Sequence, residues 1–307
     1  MKIAQLAHQE LKELEAFGIG IARQAGMLLQ QHFQKPLAVE YKDKARVRRD
    51  PVTEADKRSE ELLKEAILRE LPGHGILAEE GSQVESANSD FLWVLDPLDG
   101  TSNFMSGLPL YAVSVGLLRH GKPVLGCIFI PSTSSPEGSI FHASLGGGAF
   151  RDDQPIRVSE NPQPEGGQLM IMPSFYARLF RAKRRLTQQM GDLRAPGSIA
   201  YELAMTASGV FQYAVFNRAR IWDIAAGIPL VTEAGGIALA DRWKGRGWET
   251  FEDFSSASAQ NPTPQQLKDW SGSWIFGNAS IARFVASNLR RRSNLELRIR
   301  RWLRRWF

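Results

Sequence analysis

The feature that most constrains this chain is the stretch Phe91-Leu92-Trp93-Val94-Leu95-Asp96-Pro97-Leu98-Asp99-Gly100-Thr101-Ser102-Asn103-Phe104. It starts as an apolar run of the kind that makes a buried strand. It breaks at Asp-Pro, where Pro97 has no N–H to continue a ladder. Asp96 and Asp99 straddle that break, and Gly100, Thr101 and Ser102 follow at once. A buried strand that ends in acids and then in backbone N–H groups suits a hard cation and a phosphate held together. Asp-Pro and Asp-Gly are also ordinary turn signals, and Thr and Ser often cap helices. The rest of the chain has to decide between these readings.

Length and composition set the limits. With 307 residues there is room for one large unit or two sub-domains. No apolar run approaches the ~20 residues of a membrane span. Met1-Lys2-Ile3-Ala4-Gln5 runs into a charged stretch, unlike a secretory signal, so the cytoplasm is the expected compartment. Cys127 is the only cysteine, which excludes an internal disulfide and a cysteine metal cluster. The net charge of +5 is concentrated: Arg290 to Phe307 carries eight arginines and one glutamate. The remainder is slightly acidic, so a nucleic-acid partner is not expected.

Helical spacing covers residues 3–33, with Gly18 and Gly20 expected to divide it into two helices. A basic stretch over residues 41–49 reads as a connection. Thr53 and Asp56 form a capping-box pattern at the head of a helix to about Leu71, which Pro72-Gly73 stops. Gly75–Ala78 is a short strand emptying into Glu79-Glu80. Tyr111–Leu118 with Pro123–Ile130, and Ser139–Ala143 with Gly148–Arg151, read as hairpins. After a boundary near Pro162–Gly167, strand and helix alternate. Leu169–Met172 is a strand, Tyr176–Met190 a basic helix, and Gly197-Ser198-Ile199-Ala200 opens a helix to about Ser208. Phe211–Phe216 is a strand, and Ile221-Trp222-Asp223 starts a helix toward Glu233. Ile237–Ala240 and Trp274–Phe276 are strands, and Arg242–Gln266 is a long surface excursion.

Asp50–Asp56, Ala78-Glu79-Glu80, Asp96–Phe104 and Trp222-Asp223-Ile224-Ala225-Ala226-Gly227, in this order, resemble the inositol monophosphatase family of Mg²⁺-dependent phosphatases. The resemblance spans residues 15–240. It implies a layered α-β-α-β-α sandwich, usually dimeric. Two sub-domains are expected, at 1–162 and 163–288, with a separate tail over 289–307. It implies two to three Mg²⁺ ions. Glu79, Asp96 and the Leu98 carbonyl would hold one, Asp96, Asp99 and Asp223 a second, and Glu79 a weaker third. Gly100, Thr101 and Ser102 would present N–H groups to the phosphate, with Ser198 also at the substrate. Asp56 would bond the Thr101 hydroxyl, and Thr101 with Glu79 would position the attacking water. The rival Asp-x-Asp-x-Thr phosphatase design, with an aspartyl-phosphate intermediate, fits this Asp-x-x-Asp spacing poorly.

Two departures bear on substrate. Ala78 stands where the family commonly has Gly. Phe216 stands seven residues before Asp223, where inositol-specific members carry an acid for sugar hydroxyls; Phe cannot accept a hydroxyl proton. Arg218 or Arg220 could instead meet a second phosphate, as in 3'-phosphoadenosine 5'-phosphate or fructose 1,6-bisphosphate. Inositol monophosphate is the default by family frequency. In the tail, Ile299, Trp302, Leu303 and Trp306 share one helical face with arginines opposite, a pattern suited to an anionic membrane surface, to the protein's own body or to a dimer interface. The competing class is a non-catalytic binding protein tethered by that tail.

Overall fold

The computed structural model describes residues 2–35, 39–41, 51–81, 89–132, 135, 137–241, 247–254 and 262–292. The basic stretch 42–49 and the tail from 293 onward lie outside them.

α1 (Lys2–His32) is one helix through Gly18 and Gly20, where two were expected. Helix propensity argues for a break, but packing wins. A Cβ on Gly18 would come within 3.1 Å of Cys127 Sγ, so the residue marks where the helix lies close on the sheet. A short pair, β1 (Val39–Tyr41) with β2 (Pro51–Thr53), leads into α2 (Glu54–Glu70). Both helices cover one face of a seven-stranded sheet. Its strands are β3 (Gly75–Ala78), β4 (Phe91–Asp99), β5 (Ala112–Arg119), β6 (Lys122–Ile130), β7 (Ser139–Ser144), β8 (Gly148–Arg151) and β9 (Gln154–Pro155), in that spatial order. β3 and β4 are parallel; the remaining pairs are antiparallel.

Strand alternation sorts the core. Trp93 and Leu95 point to the α1–α2 side, while Val94 points to the other, together with Leu77 and Ile128. There they meet α6 (Ile199–Ala207), α7 (Ile221–Ile224) and α8 (Gly227–Glu233), which form the middle layer. The α3 turn (Thr101–Met105) sits at the end of β4.

Beyond the middle layer lies a six-stranded sheet. It is built from β10 (Leu169–Ile171), β12 (Asp192–Arg194), β13 (Tyr213–Arg220), β14 (Gly236–Asp241), β15 (Glu249–Thr250) and β16 (Ser271–Asn278), in the order β12-β10-β13-β16-β14-β15. Ala214 and Phe216 face the middle layer. Tyr213 and Val215 face outward to α10 (Ala279–Asn288), which the sequence reading missed. The order is helix, sheet, helix, sheet, helix, as expected. The chain contains no described helix long and apolar enough to cross a membrane.

Three further expectations change. The basic helix over 176–190 is instead α4 (Tyr176–Leu179), β11 (Phe180–Ala182) and α5 (Arg184–Thr187). β11 pairs antiparallel with β17 (Leu289–Arg291), a long-range ladder that local helical spacing cannot reveal. Residues 289–291, expected to begin the tail, are therefore part of the ordered sheet structure, and Leu289 is buried. The excursion over 242–266 is not all surface. Phe251 and Phe254 are buried against Trp274 and Trp270, with ring centroids 4.8 and 5.1 Å apart, and a short α9 (Pro264–Lys268) follows.

The middle layer sits very close to the first sheet. A Cβ on Gly126 of β6 would lie 2.0 Å from the Ala226 carbonyl oxygen, a backbone atom that cannot step aside. Gly126→Ala should therefore cost about 1–3 kcal/mol of stability, read from urea midpoints, with activity falling because Asp223 belongs to the displaced segment. A second test concerns His142 on β7, whose Nδ1 meets Glu15 Oε1 at 2.7 Å and whose Nε2 meets the Asp152 carbonyl at 2.9 Å. Burial opposes its protonation, but two acceptors from α1 and the sheet edge raise its pKa above the ordinary 6.5. The contribution is complete below about pH 6.5 and lost as pH rises through the raised folded value. The unfolding midpoint should decline over that window, and His142→Gln should abolish that component.

Candidate active site

The site begins with an irregularity in β4. Asp96 pairs with Ser114 and Asp99 with Ala112, so β4 uses one more residue than β5 over the same interval. In a regular strand, residues three apart face opposite ways. The extra residue at Pro97-Leu98 is a bulge that re-aims the chain, so that Asp96 and Asp99 line the same cavity. Ser59 Oγ of α2 donates to the Pro97 carbonyl at 2.9 Å and fixes the bulge.

Each neighbouring element contributes one acid for a local reason. β3 runs parallel to β4 with Ala78 opposite Leu95, and the Glu79 N–H donates to the Leu95 carbonyl at 3.2 Å, so Glu79 emerges beside Asp96. Asp56 caps α2. Its N–H donates to Thr53 Oγ1 at 3.3 Å, and its Oδ2 accepts from the Thr53 N–H at 2.8 Å and from the Thr53 hydroxyl. Its other oxygen, Oδ1, lies 3.1 Å from Thr101 Oγ1. The capping box expected for Thr53 and Asp56 is present, and the contact expected between Asp56 and the Thr101 hydroxyl is made as well. Asp223 stands in the first turn of α7, and its Oδ2 accepts from the Arg220 N–H at 2.7 Å. Ser114 Oγ of β5 donates to the Trp222 carbonyl at 3.2 Å, tying that turn to the first sheet.

Gly100 makes the corner into α3. Its φ of +91° is a left-handed conformation, and a Cβ there would lie 3.0 Å from both the Leu110 carbonyl oxygen and Ser198 Cβ. Thr101 and Ser102 open the turn, so their N–H groups have no intrahelical acceptor. Thr101 Oγ1 also lies 3.0 Å from the Leu98 carbonyl oxygen. Its single proton serves that oxygen or Asp56. Asn103 donates to the carbonyls of Leu110 and Pro196 at 2.6 and 2.8 Å, binding the corner to the chain before α6.

Glu79, Asp96, Leu98, Asp99, Gly100, Thr101, Ser102 and Asp223 all line one cavity of about 460 Å³, joined by Gly197, Arg220 and Trp222. Burial first, then the charges of Glu79, Asp99, Asp223 and Asp56, hold the Asp96 carboxyl well above the usual range. Burial likewise raises Asp99 to about 6, against hydrogen bonds that favour its charge. Asp223 is pushed well up by burial, Asp99 and Glu79, with Arg220 opposing. Among the described residues, no three His, Cys, Asp or Glu side chains are drawn in around one point as finished metal ligands. The acids face a shared space; they do not yet close a ring.

The remaining expected contacts fall elsewhere. Ser198 is fully buried; its Oγ donates to Asp99 Oδ2 at 2.8 Å and accepts from the Tyr201 N–H at 3.3 Å as the cap of α6. It therefore stands behind Asp99 and does not line the cavity. Phe216 is packed in the core beside Phe276, also away from the cavity. β13 has its own irregularity between Phe216 and Ala219, with Arg218 at φ +61°, exposed and outside the lining. Arg220 lines the cavity instead, its guanidinium 5.9 Å from the Trp222 ring centroid.

Three supporting acids and amides were missed. Glu60 Oε2 accepts from the Glu80 N–H at 3.0 Å while Lys64 holds its Oε1 at 2.5 Å, which braces the Glu79 turn. Asn103 is the second. Glu202 is the third: it is buried, accepts from the Gly197 N–H at 2.8 Å, and is raised to about 8 by burial, with Asp99 adding to the rise. An acid in the otherwise apolar Ile199-Ala200-Tyr201-Glu202-Leu203-Ala204 was the available signal for it.

The sequence profile described as the inositol monophosphatase family matches residues 10–267. "Fructose-1,6-bisphosphatase/inositol-1-monophosphatase" of Aquifex aeolicus is 32% identical over 69% of this chain and 80% of its own length. "Nus factor SuhB" of Xylella fastidiosa is 35% identical over 78% of this chain and 85% of its own. Among solved structures, the extragenic suppressor protein suhB of Bartonella henselae superposes with a TM-score of 0.71 at 27% identity, covering 90% of this chain and 98% of that one. Inositol monophosphatase from Anabaena superposes with a TM-score of 0.67 at 27% identity, covering 91% and 96%.

Glu202 yields a test, made on the metal-free protein because Asp99 contributes to its shift. A raised carboxyl destabilises the fold progressively as pH rises from its unfolded value near 4.5 to about 8. Glu202→Gln keeps an acceptor for the Gly197 N–H and removes the charge. Its urea midpoint should match the parent near pH 5 and exceed it above pH 8, by on the order of 3 kcal/mol.

Proposed function

The chain belongs to the inositol monophosphatase family, phosphoric monoester hydrolases, and from that membership we propose that it hydrolyses a small phosphorylated metabolite by direct attack of water, using Mg²⁺. One observation carries the reading: four carboxylates, Asp96 buried and the others half-buried, converge on a cavity that also holds the Gly100–Ser102 turn at the end of β4. Each of Asp96, Asp99 and Asp223 is raised by burial and by its neighbours. Such a set is relieved by a cation, and with no thiol or imidazole in the lining the matching cation is a hard one. Two to three ions fit the family expectation. Glu79, Asp96, Asp99, Asp223 and the Leu98 carbonyl would hold them.

When bound, Mg²⁺ supplies a lowered pKa for water and neutralises charge on the phosphate and on the leaving oxygen. The chain's own residues do the rest. The N–H groups of Gly100, Thr101 and Ser102 receive the phosphate oxygens. The Thr101 hydroxyl, oriented by Asp56 Oδ1 and the Leu98 carbonyl, holds the attacking water with Glu79 in line with the scissile bond. Asp56 can take up the Thr101 proton, and Thr101 that of the water, so the nucleophile develops charge as it attacks. Phosphate-ester hydrolysis is very slow unaided, and positioning plus charge neutralisation is what a protein can add. Ser198 and the Ala200 N–H, which donate to Asp99 Oδ2 at 2.8 and 2.5 Å, keep one oxygen of that acid fixed.

Inositol monophosphate is the default substrate. Phe216, in the core, has no part in the choice, and Arg220 at the cavity favours a substrate that carries a second anionic group. The Aquifex relative's double name fits that breadth.

The test is phosphate release with and without Mg²⁺ on inositol 1-phosphate, 3'-phosphoadenosine 5'-phosphate, fructose 1,6-bisphosphate and histidinol phosphate. Turnover should require Mg²⁺, and Asp96→Asn should lower kcat/KM by at least about a hundredfold, roughly 3 kcal/mol. Arg220→Gln should raise KM about tenfold for a bisphosphate and leave inositol 1-phosphate little changed. Absence of turnover on all four with bound Mg²⁺ would refute the enzyme reading for these substrates and favour a binding protein.

A further inference from the structure

A basic face on the far side of the second sheet has no part in the cavity. From Pro173 to Gly191 the chain carries Arg178, Arg181, Lys183, Arg184 and Arg185 and no acid; from Ala279 to Arg292 it carries Arg283, Arg290, Arg291 and Arg292, again with no acid. The fold brings these distant stretches together. β11 pairs with β17 so that Arg181 stands directly opposite Arg290. Arg185 lies over the Phe284 ring at 5.2 Å, Lys183 Nζ donates to the Ser287 carbonyl at 2.8 Å, and Arg292 Nε donates to the Ala177 carbonyl at 3.1 Å. Like charges opposite each other weaken a ladder. Among the described residues, none of these nine cations forms a salt bridge with a carboxylate. Seven of them, all but Arg291 and Arg292, are exposed.

We propose that this face docks on an anionic lipid bilayer. Cations held on a fixed scaffold with no acidic partner suit a surface that is itself densely negative. A second copy of the chain is a poor occupant, because a two-fold contact would set the same cations against themselves. The sequence that follows decides between a bilayer and a nucleic acid. After Arg292 come Ile299, Trp302, Leu303, Trp306 and Phe307, interleaved with Arg298, Arg300, Arg301, Arg304 and Arg305. Aliphatic and Trp side chains spaced three and four apart match the headgroup–acyl boundary, where Trp partitions favourably. Trp also stacks on an unpaired base, but Ile299 and Leu303 at the same spacing find an apolar medium only in the bilayer.

Vesicle flotation of the full chain tests this, with phosphatidylcholine alone and with phosphatidylserine added. The protein should float only with the serine-lipid vesicles, less so as salt is raised. The variant Arg178→Gln, Arg181→Gln, Arg184→Gln should lower the bound-to-free ratio about a hundredfold, at about fivefold per cation removed. Trp302→Ala with Trp306→Ala should lower it too. Both variants should keep the parent's thermal midpoint, which separates lost docking from lost fold. Equal flotation with neutral vesicles, undiminished binding by the charge variant, or retention on single-stranded RNA with none on vesicles would each overturn the proposal.

Discussion

The structure depends on like charges crowded at the wall of one cavity, with Asp96 fully buried behind it. Asp96, Asp99 and Asp223 are raised by burial and by one another, and each would destabilise an ordinary core. The surroundings offset part of this cost with donors. Asp99 takes the Ser198 hydroxyl and the Ala200 N–H at the start of α6; Asp223 takes the Arg220 N–H at the start of α7; Asp96 takes the Leu98 N–H at 3.2 Å. Two helix starts and one bulge therefore converge on the same few oxygens. A helix N-terminus favours negative charge and has N–H groups to spare, so the middle layer is oriented by what the acids need.

That orientation demands close approach. α7 and α8 can bring Asp223 to the end of β4 only if the middle layer lies almost on the first sheet, which is why β5 and β6 carry Gly116 and Gly126 beneath Ala225 and Ala226. The Ala-Ala-Gly after Asp223 is thus as much a part of the site as the acid. Cavity chemistry and sheet packing are coupled through the same small residues, and neither can be altered alone.

How much of this was legible follows from whether the signal is local. The strand, break and turn over Asp96 to Ser102 read directly, because they are contiguous; Asn103 did not, because the carbonyls it binds include Pro196, far along the chain. Asp56 serves the capping box of α2 with one oxygen and meets Thr101 with the other. Ser198, Phe216 and Arg218 did not resolve in the same way. The first is a cap whose hydroxyl also meets an acid 99 residues away; Phe216 borders, and Arg218 lies within, an irregularity in β13 that no pattern in Phe216-Asn217-Arg218-Ala219-Arg220 discloses. The β11–β17 pairing and the burial of Phe251 and Phe254 were hidden for a related reason: their partners lie far along the chain. Gly18 shows the opposite error, since propensity spoke for a break and tertiary packing overruled it.

The uneven legibility has a physical origin that bears on function. The residues expected to run the reaction stand mostly on β3, β4 and α3, elements locked into the first sheet and its helices. Those that would contact the rest of a substrate come from the end of β13, in the second sheet, just past its irregularity. The two parts meet at one point, since the Arg220 N–H donates to Asp223 Oδ2 at 2.7 Å. Most of the acids thus stand on the first sheet and its flanking elements, while Arg220 comes from the second sheet. The bulge turns Arg220, and not Arg218, toward Trp222 and Asp223.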